Sequence, residues 1–541
     1  MSLEYYVALC GGEENLLRVL IPDSRLIFAV KERDCLSDEL DLKAISRVGD
    51  EWQVTFVCPS DIEAELLQLG EKIAKRQQLA LSEAMVPVAC SYRPKWHVSP
   101  PQGLLNDPNG FIYHQGQYHL FYQWYPFGCV HKDKYWAHLI SKDLVNWHWQ
   151  PVALTPSDWF DSHGVFSGHA VSDDETLMLF YTGNTRIDEQ RDRHTTQCLA
   201  TSSDGIHFTK HGPVIESLPP GVTAHIRDPK VIRHQQEWLM LLGAQTTELK
   251  GRLAVYRSDD LRNWTFSDLH GDELGDFGYM WECPDWFELG GETFAVLGPQ
   301  GIESFSPLNT IPHHNGIVRA SWDGQQLQLA DFVHLDYGFD FYAPQTLLTP
   351  DGRRVMCGWM GLPDEVDQPS SDHGWVHQLT APRELTYRDG TLYQWPIEEL
   401  MALMSAPSAL TLSSVTQRLD VNSYQLEVEL QWGQTLNLFE GEGHRLTLIA
   451  DDAQRRLVLD RRQTQNRAQD GQREVPLSSD SVRLRILVDT SSVEIFINGG
   501  EAVMTSRVFV DEQATGISVT GESTHADLRY INQAAAPFVL G

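Results

Sequence analysis

The sequence lacks any long apolar run: none of its hydrophobic stretches approaches the roughly 18 residues that a membrane-spanning helix needs. Its first residues, MSLEYYVALCGGEENLL, lack the basic start and the apolar segment of a secretory signal. The eight cysteines are scattered over 541 residues, with no C-x-x-C pair and no short disulfide framework. We therefore expect a cytoplasmic protein that keeps its thiols reduced and does not bind membranes.

Positive charge is also scarce. The chain has 42 Lys and Arg against 74 Asp and Glu, so its formal net charge is −32. Because such a surface repels phosphate backbones and anionic lipids, we expect neither nucleic acid nor a membrane surface as a partner. The sequence also shows no metal-ligand spacing, which argues against a metal site. Assembly into a homo-oligomer stays open.

The middle of the chain lacks long helical periodicity and carries a repeat instead. Each unit has an aspartate two residues after a Ser or Tyr and four residues before an apolar side chain. The aspartates are spaced by 61, 56, 63 and 66 residues and are Asp143, Asp204, Asp260, Asp323 and Asp389. Short apolar runs bounded by turn residues, such as YHLFYQW and RRVMCGWM, are typical of strands. Five units of about 60 residues predict a five-bladed β-propeller, with a set of β-sandwiches as the alternative.

The two ends of the chain differ from this propeller region, which we place at residues 91–400. Residues 1–90 contain the strand-like runs LLRVLI, RLIFAV and WQVTFV, then a Ser60-Asp-Ile-Glu63 capping box that opens an amphipathic helix. They predict a small N-terminal α+β extension of unknown role. Residues 406–541 alternate apolar and polar side chains, as in VRLRILVD, which predicts a C-terminal β-sandwich. The predicted fold is thus mainly β.

Several acids occupy a similar position relative to the repeat. One polar residue precedes each repeat aspartate by 32 to 49 residues, and these are Asp107, Ser167, Asp228, Glu282 and Asp340. In a propeller, this position falls on the innermost strand of each blade, so we expect the side chains to converge on one central pocket. In LLNDPNG, the Pro-Asn-Gly after Asp107 predicts a rigid β-turn directly past the carboxylate.

A pocket with several acids and aromatic rings suits a carbohydrate. Glycoside hydrolysis needs one un-ionised carboxyl to protonate the leaving oxygen and one ionised carboxylate to attack or to activate water. Asp107 is the candidate nucleophile, and Glu282 is the candidate acid because apolar neighbours such as Trp281 are expected to raise its pKa. Arg227 is expected to keep Asp228 ionised for hydrogen bonds with sugar hydroxyls. The plainer alternative for each acid alone is a turn residue or a local ion pair.

At these residues the sequence resembles glycoside hydrolase family 32, the group of invertases, levanases and sucrose-6-phosphate hydrolases. The resemblance covers roughly residues 92–541 and is carried, in family order, by LLNDPNG, YHLFYQ, VFSG, RDP, EC, DFYAPQ and GWM, then by DTSSVEIFINGG in the last domain. It implies a five-bladed propeller plus a β-sandwich, a retaining mechanism, and neither a metal nor an organic cofactor.

Matching positions also imply roles for individual residues. Asp107 would be the nucleophile, Glu282 the acid and base, and Asp228 the stabiliser of the transition state. The resemblance further implies a set of residues that line the fructose pocket, namely Asn106, Gln123, Trp136, Phe166, Ser167, Arg227, Asp340 and Trp359. Three positions depart from the family pattern: Leu104-Leu105, Tyr125 and His169. The first two are expected near the rim of the pocket and leave the leaving-group preference open.

The expected substrate is a small disaccharide, sucrose 6-phosphate or sucrose. The absent signal and the basic residues near the predicted mouth favour the phosphorylated sugar, and these residues are His131, Lys132, Lys134, Arg191, Arg193 and His194. Solvated loop charges are the alternative reading of that cluster. An exo-acting fructanase, an inverting enzyme for arabinosides or xylosides, and a non-catalytic sugar-binding propeller stay open as other functions.

Overall fold

The computed structural model describes residues 2–173, 175–187, 192–302, 306, 308–309, 313–468 and 470–535. Strands dominate these residues, because most apolar runs are short and end at Gly, Asp or Pro. Short 3₁₀ helices lie at Glu13–Asn15, Arg33–Cys35, Leu42–Ala44, Asp272–Leu274, Pro369–His373 and Glu398–Leu403. In the described part of the chain, no helix combines the length and apolar character needed to cross a membrane.

The N-terminal extension pairs one antiparallel sheet, in the order β1-β2-β4-β3, with a long helix. Its elements are α1 Leu3–Leu9, β1 Leu16–Leu20, β2 Arg25–Val30, β3 Ile45–Val48, β4 Glu51–Val57 and α2 Glu63–Ala84. The strands β1, β2 and β4 and the helix α2 lie where the sequence predicts them, whereas α1 and β3 were not predicted. Leu66, Leu69 and Ile73 of α2 are buried in the core of the extension. The predicted capping box does not form, since α2 begins after Ile62 without a side-chain cap.

The propeller region forms five sheets within the described residues. Their strands, in chain order, are β5 Gly103–His114, β6 Gln117–Tyr125, β7 Tyr135–Ser141, β8 Trp147–Trp149, β9 Val165–Asp173, β10 Thr176–Arg186, β11 Arg193–Ser202, β12 Thr209–Ile215, β13 Val222–His234, β14 Glu237–Thr246, β15 Gly251–Ser258, β16 Thr265–His270, β17 Met280–Leu289, β18 Glu292–Gln300, β19 Gly316–Trp322, β20 Leu327–His334, β21 Tyr342–Leu348, β22 Arg354–Met360, β23 Trp375–Val376, β24 Gln378–Leu379, β25 Arg383–Arg388 and β26 Thr391–Pro396.

The inner strands of these sheets form a closed circuit. β5 contacts β9, β9 contacts β13, β13 contacts β17, β17 contacts β21, and β21 contacts β5 again. The late strand β23 pairs in parallel with β5, which ties the end of the region to its beginning. Sheets arranged around a central axis in this way are typical of a β-propeller.

The repeat aspartates make the turn between the third and fourth strands of each sheet. Asp143 accepts hydrogen bonds from the backbone amides of Val145 and Asn146, at 3.0 and 2.7 Å, and its position after Ser141 is fixed by a further bond. The same pattern recurs at Asp204, Asp260 and Asp323. A carboxylate that caps its own turn explains why Asp recurs at this spacing.

The C-terminal region forms two stacked six-stranded sheets within the described residues, in the orders β27-β38-β29-β34-β35-β36 and β28-β37-β30-β31-β32-β33. Its strands are β27 Ser408–Leu412, β28 Gln417–Arg418, β29 Ser423–Leu430, β30 Thr435–Gly441, β31 His444–Asp451, β32 Arg456–Gln463, β33 Gln472–Pro476, β34 Val482–Asp489, β35 Ser492–Ile497, β36 Ala502–Arg507, β37 Gly516–Thr520 and β38 Thr524–Tyr530. The alternating apolar residues of β34 face the shared core, as expected for a β-sandwich.

A buried polar joint connects the sandwich to the propeller. Arg383 donates to Glu494 from Nε and Nη2, at 3.0 and 2.7 Å, and to Asp336 from Nη1 at 3.1 Å. His97 lies between Asp489 and Glu494, with ring nitrogens 2.9 and 2.8 Å from their carboxylates. These contacts join residues nearly 400 positions apart in the chain, so the two domains share a specific interface.

Candidate active site

One pocket of about 390 Å³ contains all three predicted catalytic acids. Its volume lies in the range that accommodates a small ligand. The lining residues come from distant parts of the chain and are Asn106, Asp107, Gln123, His131, Lys132, Asp133, Lys134, His163, Phe166, Asn184, Arg186, Arg193, Arg227, Asp228, Glu282, Tyr342, Trp359 and Pro363. The inner strands β5, β13 and β17 each supply one of the acids.

The Asp107 segment is a bulged strand and not the predicted β-turn. LLNDPNG lies inside β5, and the pairing of β5 with β6 shifts register between Leu105 and Pro108 and again between Asn109 and Ile112. The Asn109 side chain fixes the bulge, since it donates to the Asp107 carbonyl at 3.0 Å and accepts from the Gly168 amide at 3.0 Å. Bulges redirect side chains next to active sites. The predicted β-turn is therefore wrong, and the local structure is a bulged strand.

The Asp107 carboxylate is held by neighbours on other blades. Ser167 donates a hydrogen bond of 2.5 Å to Oδ2, and the Cys283 thiol lies 3.7 Å from the same atom. Burial raises the pKa of Asp107, although the Ser167 hydrogen bond acts in the opposite direction, and the charge of Glu282 raises the pKa further.

Asp228 lies on β13 in the left-handed region, with φ of 65°. Its Oδ2 accepts a hydrogen bond of 2.9 Å from the Cys283 amide, and its own amide donates to Thr182 Oγ1 at 3.0 Å. Burial raises the pKa of Asp228 to about 7, against the opposing charge of Arg227. The expectation that Arg227 keeps Asp228 ionised needs correction, because the hydrogen bonds of Arg227 to an acid go to Glu282 instead.

Glu282 is the most heavily hydrogen-bonded of the three acids. Arg227 donates to Oε1 from Nη2 and Nε, at 2.6 and 3.0 Å, while Gln300 and Tyr342 each donate to Oε2 at 2.8 Å. Burial acts to raise the pKa of Glu282, but these donors outweigh it and lower the pKa. The predicted rise of the Glu282 pKa is therefore wrong. The neighbouring Trp281 is fully buried, and its indole donates to the Phe277 carbonyl. Because successive side chains of a strand point to opposite faces, Trp281 does not face the same side as Glu282.

Most of the other predicted binding residues lie at the same pocket. Asn106 donates to Gln123 Oε1 at 2.6 Å, so one predicted residue orients the other. The Arg193 guanidinium lies 5.2 Å from the centre of the Phe166 ring. Trp359 also lines the pocket, and Ser167 contacts Asp107 from its edge.

Two predicted binding residues lie elsewhere. Asp340 is fully buried toward the sandwich, where Oδ2 accepts from Arg461 Nη1 at 2.9 Å and from the Arg507 amide at 2.7 Å. The reason is that β21 begins two residues later, at Tyr342, which occupies the pocket position instead. Trp136 is also fully buried, and its indole donates to the Phe166 carbonyl at 3.1 Å behind the pocket wall. Both predictions are corrected accordingly.

The comparisons with known proteins agree with this site. Residues 97–396 match the model of the glycosyl hydrolases family 32 N-terminal domain, and residues 399–534 match the model of the family 32 C-terminal domain. The chain belongs to glycosyl hydrolase family 32. The similarity extends over the whole chain for a probable sucrose-6-phosphate hydrolase from Psychromonas ingrahamii, which is 58% identical over 545 residues and 100% of both chains.

More distant family 32 members cover less of the chain. The sucrose-6-phosphate hydrolase of Salmonella typhimurium is 43% identical over 430 residues, which are 78% of this chain and 90% of that one. The solved sucrose-6-phosphate hydrolase of Lactobacillus gasseri is 30% identical, covers 88% of this chain and 98% of its own, and gives a TM-score of 0.77. The Bombyx mori β-fructofuranosidase BmSUC1 is 31% identical, covers 86% and 100%, and gives a TM-score of 0.76. These structures support a propeller followed by a sandwich.

Several residues of the family 32 pocket were not predicted from the sequence. His163, Asn184 and Arg186 line it, and Gln300 binds Glu282 from behind. His163 lies in the turn before β9, and the other three lie at the ends of β10 and β18, outside the motifs, so pattern and spacing carried no signal for them. Of the predicted basic cluster, His131, Lys132, Lys134 and Arg193 line the pocket. His194 does not, and Arg191 lies outside the described residues. Across the described residues, no group of three or more His, Cys, Asp or Glu is arranged to hold a metal ion.

Proposed function

We propose that this chain is a retaining β-fructofuranosidase that hydrolyses sucrose 6-phosphate, and sucrose more slowly. The observation that carries the proposal is the presence of Asp107, Asp228 and Glu282 in one pocket of a family 32 chain. Relatives named as sucrose-6-phosphate hydrolases, at up to 58% identity, support the substrate. A Bombyx mori relative solved with sucrose supports a disaccharide partner.

Asp107 attacks the anomeric carbon of the fructosyl unit, and the bond to the leaving oxygen breaks as Glu282 gives that oxygen a proton. The product of this step is a fructosyl ester on Asp107 and a free glucosyl sugar. In the second step the Glu282 carboxylate takes a proton from water, whose oxygen attacks the same carbon and releases Asp107. Two displacements retain the anomeric configuration. Asp228 accepts hydrogen bonds from fructosyl hydroxyls, and these hydrogen bonds strengthen as positive charge develops on the ring.

The three acids lie so close together that they keep one proton, which Glu282 needs for catalysis. The hydrogen bonds that Arg227 gives to these buried carboxyls go to Glu282, while burial and repulsion by Glu282 and Asp107 raise the pKa of Asp228 to about 7. The three acids therefore retain a proton near neutral pH, but Glu282 is not the acid that holds it. A bound fructosyl unit that accepts hydrogen bonds from Arg227 weakens the pairing with Glu282 and favours transfer of that proton to it.

The wall of the pocket carries the charge needed for a phosphorylated leaving group. Five Lys and Arg side chains of a chain whose net charge is −32 line this one cavity, besides His131 and His163: Lys132, Lys134, Arg186, Arg193 and Arg227. Of these, Arg227 is bound to Glu282, and burial lowers the pKa of Lys134 to about 7. Arg and Lys are the usual phosphate ligands in proteins. The experiment is a panel of sucrose, sucrose 6-phosphate, raffinose, inulin and levan. We expect the highest kcat/KM for sucrose 6-phosphate. Equal values for the two disaccharides would remove the phosphate claim, and a preference for inulin or levan would indicate an exo-acting fructanase.

We further propose that residues 91–400 form a five-bladed catalytic propeller between an N-terminal extension, residues 1–90, and a β-sandwich, residues 406–541. The circuit of inner-strand contacts supports five blades. A cytoplasmic location is also proposed, and the eight cysteines, which are all free thiols, support it.

A further inference from the structure

The N-terminal extension reaches the pocket through one side chain. Arg18 lies on β1, outside both family 32 models, the first of which begins at residue 97. Its Nη1 donates to Asp133 Oδ2 at 2.8 Å and to the Ser162 carbonyl at 2.6 Å. Its Nε donates to Glu51 Oε1 at 2.9 Å, which fixes the plane of the guanidinium from within the extension.

Both propeller partners of Arg18 belong to the pocket wall. Asp133 lines the pocket within the loop that joins β6 to β7, and Ser162 directly precedes the lining residue His163. The loop runs from the exposed His131 to the buried Lys134, so it extends from the mouth of the pocket toward Asp107. One guanidinium therefore ties together two wall segments that lie about 30 positions apart in the chain.

The contact is shielded from water. The Arg18 side chain is 15% exposed and the Asp133 side chain 18%. Ion pairs at this depth are screened less than surface pairs, and a guanidinium holds two acceptors in fixed directions. Loss of Arg18 would leave the Asp133 carboxylate half-buried and without this cation.

The extension itself is seated tightly on the propeller. A Cβ atom at Gly70 of α2 would lie 1.9 Å from the Asp158 carboxylate, so only glycine fits there. Gln77 donates to the Pro156 carbonyl at 3.1 Å, a few residues away. Lys210 holds Asp158 from the other side at 3.0 Å. The platform from which Arg18 reaches the wall is therefore fixed in place.

We propose that Arg18 is a positioning residue that fixes the outer wall of the pocket for the phosphorylated leaving group. The proposal rests on the proposed function, because the wall that Arg18 holds carries the basic residues assigned to the phosphate. Arg18 does not contact the reacting atoms. It acts through Asp133 and through the Ser162-His163 segment, so it affects how the leaving half of the substrate binds.

The test compares Arg18→Gln with Arg25→Gln. Arg25 lies on β2 of the same extension and pairs with Asp23 at 3.8 Å on the surface, so its substitution gives the same charge change without touching the pocket. For Arg18→Gln we expect KM for sucrose 6-phosphate to rise roughly tenfold, as for loss of one charged hydrogen bond. We expect kcat to stay within about twofold. Methyl β-D-fructofuranoside, whose small leaving group does not reach this wall, should keep its KM.

Two further variants separate positioning from stability. Arg18→Lys keeps the charge but not the fork, so it should raise KM by less than Arg18→Gln. Asp133→Asn should raise KM for sucrose 6-phosphate, and the double variant with Arg18→Gln should be no worse than the larger single effect, because both remove the same contact. A purely structural role would lower Tm in Arg18→Gln without changing KM at a temperature well below Tm.

The outcomes are distinguishable. Wild-type KM in Arg18→Gln, or equal losses on both substrates, would overturn the positioning role. If the wild-type protein fails to hydrolyse sucrose 6-phosphate, the proposed substrate is wrong, and the positioning role is then judged by KM for sucrose in the same variants. A rise in KM for sucrose 6-phosphate in Arg18→Gln, with KM for methyl β-D-fructofuranoside unchanged and with Arg25→Gln like the wild type, would establish the positioning role.

Discussion

Two groups of buried carboxylates in this chain are paired in different ways. At the joint between propeller and sandwich, Glu494 accepts two hydrogen bonds from Arg383, one from the Ala381 amide and one from His97. In the pocket, Glu282 accepts a similar fork from Arg227. The two glutamates look alike locally, and each has a pKa that its donors lower against the effect of burial.

The neighbouring acids make the difference. At the joint, Asp489 is held by His97 and by the backbone amides of residues 95–97, so the second acid is also satisfied. In the pocket, Asp107 and Asp228 receive hydrogen bonds from Ser167 and the Cys283 amide, and burial raises the pKa of both. Fully paired carboxylates stabilise a fold, whereas under-paired ones are available for a substrate and carry strain that the fold must absorb.

The largest effect is expected at Asp107. Asp107→Asn keeps the size of the side chain but removes the nucleophile, so kcat should fall by about 10⁴-fold or more on every fructoside. The fold should be retained, as judged by circular dichroism and Tm. A sugar-binding protein without catalysis would show no turnover in the wild type either, and binding would survive the substitution. Retained turnover in Asp107→Asn would contradict the nucleophile assignment.

Glu282→Gln should lower kcat on sucrose 6-phosphate by about 10³-fold, since the leaving oxygen loses its acid. A fructosyl donor with a good leaving group needs little acid assistance, so its first step should be nearly normal, and a burst should appear in pre-steady-state kinetics. Gln300→Ala is the matched control because Gln300 only supports Glu282. The same loss on both donors in Glu282→Gln would count against Glu282 as the acid.

Substitutions at the joint between propeller and sandwich should lower the free energy of unfolding and leave catalysis nearly unchanged. Glu494→Gln removes one of the two buried partner charges of Arg383 and of His97, which keep only Asp336 and Asp489, and should cost about 3–5 kcal/mol of unfolding free energy. At a temperature where the variant is folded, kcat/KM should change little. Glu427→Gln is the control: Glu427 pairs with Arg485 on the surface of the same sandwich and should change stability by less than about 1 kcal/mol. Equal effects of the two variants would remove the contrast.

The smallest expected effect is a pH-dependent gain in thermal stability on substitution of Asp228. Burial raises the pKa of Asp228 from its usual value to about 7, so the folded chain binds this proton more tightly than the unfolded chain. The cost of ionising Asp228 therefore grows as pH rises from about 4 to about 7 and is constant above that. Asp228→Asn should raise Tm, by more at pH 8 than at pH 5, while activity is lost.

Asp204→Asn is the control for this pH dependence. Hydrogen bonds from His207 and from backbone amides lower the pKa of the exposed Asp204, so its contribution to stability is present at neutral pH and is lost on acidification. Its substitution should give a small change of the opposite sign in calorimetric scans at the two pH values. A gain for Asp228→Asn that is independent of pH would contradict the cause assigned here.

Much of the fold was predictable because its signals are local. Four of the five repeat aspartates, Asp143, Asp204, Asp260 and Asp323, cap their own turns, so their spacing reports the sheets directly. The motif acids Asp107, Asp228 and Glu282 lie on inner strands, as their position relative to the repeat indicated. The strands β1, β2 and β4 of the extension and the helix α2 were also predictable from their apolar residues.

The errors have a common physical origin in long-range packing. Spacing along the chain drifts with loop length, so Asp340 fell two residues ahead of its strand and faces the sandwich. The pKa of Glu282 depends on Arg227, Gln300 and Tyr342, which come from other parts of the chain. Arg18 meets Asp133 across 115 positions, a contact that no local pattern encodes.

The central claim is that Asp107 becomes covalently linked to fructose while Glu282 handles the proton. The most direct measurement is mass spectrometry of peptides from Glu282→Gln after brief incubation with a fructosyl donor that has a good leaving group. We expect the peptide containing Asp107 to carry one fructosyl group, because the second step lacks its base. An unmodified Asp107 peptide, together with an inverted first product by NMR in the wild type, would contradict the account.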